Sequence, residues 1–400
     1  MLNKSIKSNY FVTLINIAHP ILLMLFVIRN FGIIAYSEII YIVASVNLFV
    51  ILLDFGVNLS LTARFKRIHK DLIKYISNTI YIVRIAIICL IVAGILFIQN
   101  IILIDFITLE TLIVFTALAM NAVLPMEVYW STKSIHKYLP ILAISKIVGI
   151  LLFVILVRDE NLLLIYALHL FAIGLLQCFL VCFQQKTWLN FSRKIPILVY
   201  MKHSLTYFFG KSSSTYAANI PRVLLKNVAS DVTYATYILY DQIYNMILNF
   251  LNPVLINILG KDEQPIVNKT LKLDKIKIKT FRSVLALDFA LIVVLIFTEI
   301  GSSYYNFIDI DLGLVLLFVS LLNIKILSSV LGLPAHSILG IPVASNVDNI
   351  VSSVLVVGIL NFMVLLNILS IPTGLIIIII IELLILRMRY KRLSKHVYGH

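Results

Sequence analysis

Charge is scarce in this sequence, and negative charge most of all. Asp, Glu, Lys and Arg together make up 13% of the 400 residues, against about 25% in soluble domains. Only 19 residues are acidic. A chain this poor in charge is neither a soluble enzyme with a single anchor nor a disordered or fibrous chain, and little material is left for an extramembrane domain. The three cysteines, Cys89, Cys178 and Cys182, lie in or beside apolar runs. Cys178 and Cys182 share a helix face, but no His or acidic pair completes a metal site around them. Walker A, GxSxG, HExxH and CxxC signatures are absent, and His19, His169 and His336 stand isolated. No enzyme chemistry, metal or cofactor is expected.

Apolar residues fill the space. They make up 61% of the chain, and the mean hydropathy is +1.02. Laid into spans of about 20 residues they give about twelve crossings of a bilayer. Apolar runs punctuated by polar, Pro or Gly residues predict spans at 9–28, 34–56, 77–98, 101–124, 140–157, 162–182, 205–229, 232–259, 283–303, 313–332, 346–366 and 370–386. The runs are too long and alternate too little for barrel strands, so they are helices. The first has no small-residue cleavage site and is expected as a retained span rather than a signal peptide.

The net charge of +14 is explained by where the cations fall. With these spans, 25 of the 33 Lys and Arg occupy the N-terminus, the even-numbered connections and the C-terminal tail, whereas the odd-numbered connections hold only Arg29 and Arg158. That asymmetry places both termini in the cytoplasm of a multi-pass protein. The basic residues lack an aromatic platform or a nucleic-acid-binding fold, so nucleic acid is not an expected partner; anionic membrane lipids are. Heavy basic connections six spans apart, around a polar break, predict two six-helix bundles. The expected organisation is an N-terminal bundle at 1–182, a cytoplasmic linker at 183–204, a C-terminal bundle at 205–386 and a basic tail at 387–400.

Six cations remain inside spans: Arg84, Lys146, Lys211, Arg222, Lys226 and Lys325. Each costs about 2.5–3.5 kcal/mol at a span centre unless its surroundings compensate. Arg84 and Lys146 lie near span ends, from which they can snorkel. On the seventh span, with Lys211 at zero, Arg222 falls at about 20°, Thr215 at about 40°, Lys226 at about 60° and Asn219 at about 80°. This face fits a water-filled route for an anionic substrate, or alternatively pairing with acids on neighbouring helices, and Pro221 is expected to kink it beside Arg222. On the eighth span Tyr234, Tyr237, Asp241, Tyr244, Asn245, Asn249 and Asn252 share a face suited to sugars, or to hydrogen bonding between helices. The buried acids are Asp54, Glu110, Asp241, Asp288 and Asp348. Asp54, Glu110, Asp241 and Asp288 are candidates for coupling to an ion; each is equally a candidate partner for a buried cation.

Several segments carry a family resemblance. LLDFGVNLSLTARFKR at 52–67 resembles the end of the second helix of Wzx-type O-antigen and polysaccharide flippases. PMEVYWSTKSIHKY at 125–138 resembles their segment before the fifth helix. YDQIYNMILNFLNPVLINILGK at 240–261 is similar to their eighth helix, and LGLPAHSILG at 331–340 sits at their turn between the tenth and eleventh. The Gln-Gly of the family's fourth-loop motif is replaced here at or near Ser131-Thr132, and Gly numbers only 14. The resemblance implies an all-α polytopic membrane protein of the multidrug/oligosaccharidyl-lipid/polysaccharide (MOP) exporter superfamily, with twelve helices in two bundles forming a MATE-like V. It implies flipping of undecaprenyl-diphosphate-linked oligosaccharide across the bacterial cytoplasmic (inner) membrane by alternating access, for O-antigen, lipopolysaccharide or capsule-type synthesis. Its implied partners are the lipid-linked oligosaccharide, H+ or Na+ as coupling ion, and the polysaccharide polymerase and chain-length machinery. The cationic residues would then attend the pyrophosphate. A membrane polysaccharide polymerase or lipid-linked glycosyltransferase is disfavoured by the short external connections. A drug/cation antiporter of the same superfamily would favour intramembrane acids over cations.

Overall fold

The computed structural model describes residues 2–54, 79, 81–82, 84–93, 108–124, 129, 134–185, 197–260, 312–332 and 342–398. They are almost entirely helical. In chain order the helices are α1 (Leu2–Asp54), α2 (Leu109–Val123), α3 (Ile135–Leu156), α4 (Leu162–Gln185), α5 (Ile197–Lys226), α6 (Asp231–Gly260), α7 (Leu312–Leu331), α8 (Pro342–Leu365) and α9 (Ile371–Tyr398). A further apolar helical stretch covers Arg84–Ala93. Five helices among the described residues are long and apolar enough to cross a membrane: Tyr10–Ile51, Ile135–Leu156, Asp159–Gln184, Asn346–Leu365 and Ile371–Lys395.

A straight helix of 53 residues would extend about 80 Å, well over twice the hydrocarbon thickness. α1 is instead broken at Gly32, where φ is +89° and ψ 167°. Only glycine takes that backbone conformation without strain, so the break falls between the first two expected spans. At the other end of the chain α9 passes the expected boundary at 386 and stays helical to Tyr398. The residues read as a basic tail are a continuation of the last helix. The expected linker narrows as well: α4 runs to Gln185 and α5 starts at Ile197, with 186–196 outside the described residues. The ninth expected span, 283–303, is outside them too.

The chain forms two compact units, Met1–Val223 and Leu224–His400. In the first, the Tyr138 hydroxyl donates to Gln177 Oε1 at 3.0 Å, Gln177 Nε2 donates to Ser145 Oγ at 2.9 Å, and Phe153 meets His169. Rising numbers on α3 meet falling numbers on α4, so these helices are antiparallel. α2 runs parallel to α4: a Cβ on Gly174 would lie 3.0 Å from the Ala117 carbonyl, and Cys178 Sγ is 3.6 Å from the Met120 carbonyl. The first arm of α1 follows α3, with Val12 and Ile15 packed on the apolar cluster that holds Ile135, Tyr138 and Leu142, and Phe26 against Phe153. Such alternation of direction is what successive crossings of one membrane require.

In the second unit α7 and α9 are parallel, with Lys325 facing Glu382 and Ser328 facing Arg389. α8 is antiparallel to α9: Asp348 meets Arg392, and a Cβ on Gly374 would lie 3.9 Å from Leu360. α6 packs on α7 through Tyr237, Tyr240 and Tyr244, whose rings surround Phe318 at 5.7, 6.0 and 6.1 Å.

Candidate functional site

α5 has the lowest apolar content of the expected spans, and two of its serines satisfy themselves locally: Ser213 donates to Phe209 O at 2.6 Å and Ser214 to Gly210 O at 3.1 Å. Such bonds let polar side chains sit on a helix in an apolar setting without partners from elsewhere. Farther along, Asn219 is buried and donates to Thr215 O at 2.9 Å, while its Oδ1 accepts from Arg222 Nη1 at 3.2 Å. The structure thus links three members of the expected polar face, Thr215, Asn219 and Arg222. Lys211 and Arg222 are both half-buried, neither fully solvated nor sealed in a core. Pro221 sits inside the helix, whose turns continue to Lys226.

Lys226 has a different setting. Its Nζ is 2.7 Å from Asp231 Oδ1, an exposed carboxylate at the start of α6, and 5.4 Å from the centre of the Tyr234 ring. Lys325 is ion-paired to Glu382, which is buried. Each of these two cations thus has a carboxylate partner. Arg84 is buried, and Lys146 is half-buried on α3.

On α6 the aromatic candidates divide. Tyr234 and Tyr237 are buried, with their rings 6.4 Å apart, so they contribute to the packing of α6. Tyr244 is half-buried, and Asn249 is exposed. Asn245 folds back on its own helix, donating to the Asp241 carbonyl at 2.7 Å and to Asp241 Oδ1 at 3.1 Å. Asp241 is itself buried, and Glu110 is half-buried in the first turn of α2. Asp54 closes α1, its side chain outside the described residues; Asp288 lies outside them altogether.

Two features escaped the sequence reading. The first is an ionic network on α9. Arg389, expected in a solvated tail, is 7% exposed. Its Nη1 donates to Ser328 O at 2.6 Å and Ser328 Oγ at 2.7 Å, and its Nη2 to Asn349 Oδ1. Asp348, fully buried, lies 3.0 Å from Arg392 Nη1 and 4.0 Å from Arg389 Nε. Glu382 and Arg389 are seven residues apart, hence on one helix face; that spacing was the available signal. The second feature is a correction: His19 and His169 are not isolated from one another. Their rings stack 5.7 Å apart at 24°, a pairing across 150 positions that no local pattern announces.

The fold is that of MATE and other MOP superfamily transporters. One similar structure is a MATE protein in complex with MaD3S, at TM-score 0.62 and 14% identity over 98% of this chain and 94% of that one. A multidrug resistance MATE family transporter in an outward-facing conformation aligns at 0.59 and 13% identity, over 99% of this chain and 94% of that one. A MOP superfamily transporter from Pyrococcus furiosus Vc1, described as having a binding pocket of reverse polarity that suggests a different function, aligns at 0.58 and 14%, over 98% and 96%. No family model and no curated protein matches the sequence.

Proposed function

We propose that this chain is a twelve-helix, two-bundle flippase of the bacterial cytoplasmic membrane that moves undecaprenyl-diphosphate-linked oligosaccharide by alternating access. The observation that carries this reading is the half-buried pair Lys211 and Arg222 on α5, with Asn219 bound to the guanidinium. Cations held between core and solvent suit a pyrophosphate that must pass without being trapped. The substrate route centres on Lys211 and Arg222, half-buried on α5, with Lys226, Lys146, Arg84 and Lys325 as further cations of the proposed path. Tyr244, Asn245 and Asn249 supply the sugar-facing groups.

The test is genetic and topological. Deleting the protein should trap complete lipid-linked repeat units on the cytoplasmic leaflet, and Arg222→Ala or Lys211→Ala should reproduce that defect with the protein still in the membrane. Repeat units that are exported but not joined would instead identify a polymerase. A second reading, a drug/cation antiporter, draws support from the two MATE structures. It predicts uptake of an organic cation into proteoliposomes and no effect of deletion on surface polysaccharide.

A further inference from the structure

His169 has a fixed tautomer. Its Nδ1 approaches the Tyr166 carbonyl within hydrogen-bond distance, and a carbonyl only accepts, so Nδ1 carries the hydrogen. In the neutral ring Nε2 therefore keeps its lone pair. That atom is buried and has no hydrogen-bond partner, in a side chain with no exposed surface. His19, 5% exposed, also has a buried Nε2 without a partner.

Packing alone is a poor account of this arrangement. His169 is enclosed by Phe153 at 5.2 Å and Tyr166 at 4.7 Å, and a third aromatic ring could fill the space without an orphan nitrogen. A buried polar atom left unsatisfied is destabilising. Two such nitrogens on stacked rings mark a place where something binds. The titratable groups that reach the imidazoles are Tyr166 on α4, whose ring is 4.7 Å from that of His169, and Lys146 on α3, which acts on both rings. A metal cation is a poor occupant beside an ammonium, whereas a proton needs only one lone pair.

We infer that His19 and His169 form a proton-binding site inside the first unit, with Nε2 of His169 as acceptor and His19 as the ring sharing the charge. A second positive charge next to Lys146, in an apolar enclosure, is opposed in the conformation described here. The site loads in a conformation that wets it and empties in this one. Such a difference in affinity between two states is the requirement for an ion to bias a conformational equilibrium. The coupling rests on the transport reading; the proton binding does not.

The experiment uses the full-length protein in lipid nanodiscs with 15N-labelled histidine, observed from pH 8.5 to 4.5. We expect His169 to show a bare Nε2 at the alkaline end and a reversible conversion to imidazolium on acidification. In His169→Asn, whose amide can still donate to the Tyr166 carbonyl, and in His19→Asn, acidification should take up about one proton fewer. Rings that stay neutral across the whole range, in wild-type protein, would overturn the site; so would unchanged proton uptake in both variants. The wild-type spectrum decides the matter even if a variant fails to fold. A proton-binding site coexisting with flipping that ignores a pH gradient would retain the site and remove the coupling.

Discussion

The two compact units hold their buried polar groups by different means. In the first, the contacts named across helices among the described residues join uncharged groups: Tyr138 to Gln177 to Ser145, Tyr129 to Gln184, and the stacked imidazoles. In the second, carboxylates face cations across helices, with Lys325 on Glu382 and Asp348 between Arg389 and Arg392. The difference matters because the two kinds of contact fail differently. Neutral hydrogen bonds are modest and nearly insensitive to salt, whereas removing one partner of a buried ion pair strands the other charge in a medium that cannot solvate it.

The sharpest way to break this contrast is Asp348→Ala. It leaves Arg389 and Arg392 without their carboxylate, and a loss of about 3–5 kcal/mol is expected, read as a large fall in Tm of the purified protein. An unchanged Tm would mean that the network does not clamp the second unit. In the first unit Gly149→Ala places a Cβ 2.4 Å from Ile173 Cγ1, so the expected cost is about 1–3 kcal/mol of overpacking. Gly358→Ala, with nothing within 4 Å of the new atom, should instead leave Tm level or slightly raised. Gln177→Leu removes the partner of Tyr138 and Ser145, with an expected loss of about 1–3 kcal/mol. Its effect should be the same in low and high salt. Smallest of all, Lys226→Ala breaks a pair with an exposed aspartate, and a change of about 0–1 kcal/mol is expected, measured as a barely shifted Tm.

Much of the fold was legible because long apolar runs allow only helices in a membrane, and the break in α1 falls between two expected spans. Which helix faces which was not legible. Lys325 and Glu382 sit on helices far apart in the chain, and a helical wheel shows a face without naming its neighbour. Arg389 was misplaced for a related reason: a basic end after an apolar span resembles a solvated tail, whereas α9 carries it back against Ser328 and Asn349. The shared face of Thr215, Asn219 and Arg222 was legible from helix periodicity, and the three are linked by hydrogen bonds. Lys226 was placed on a shared face by angle alone, but a nearby aspartate at the head of the next helix holds it.

The position of the clamp in the chain has a consequence for biosynthesis. Lys325 and Asp348 are made before α9, which brings Glu382, Arg389 and Arg392. Glu382 follows Lys325 by 57 residues, about 3–11 s of translation at ordinary rates of about 5–20 residues per second. During that interval a lysine and an aspartate already in nascent helices wait for counter-charges still in the ribosome. The second unit therefore cannot lock until its final helix is inserted, and a ribosome stalled before α9 would leave two unmatched charges for the membrane's quality-control proteases to recognise.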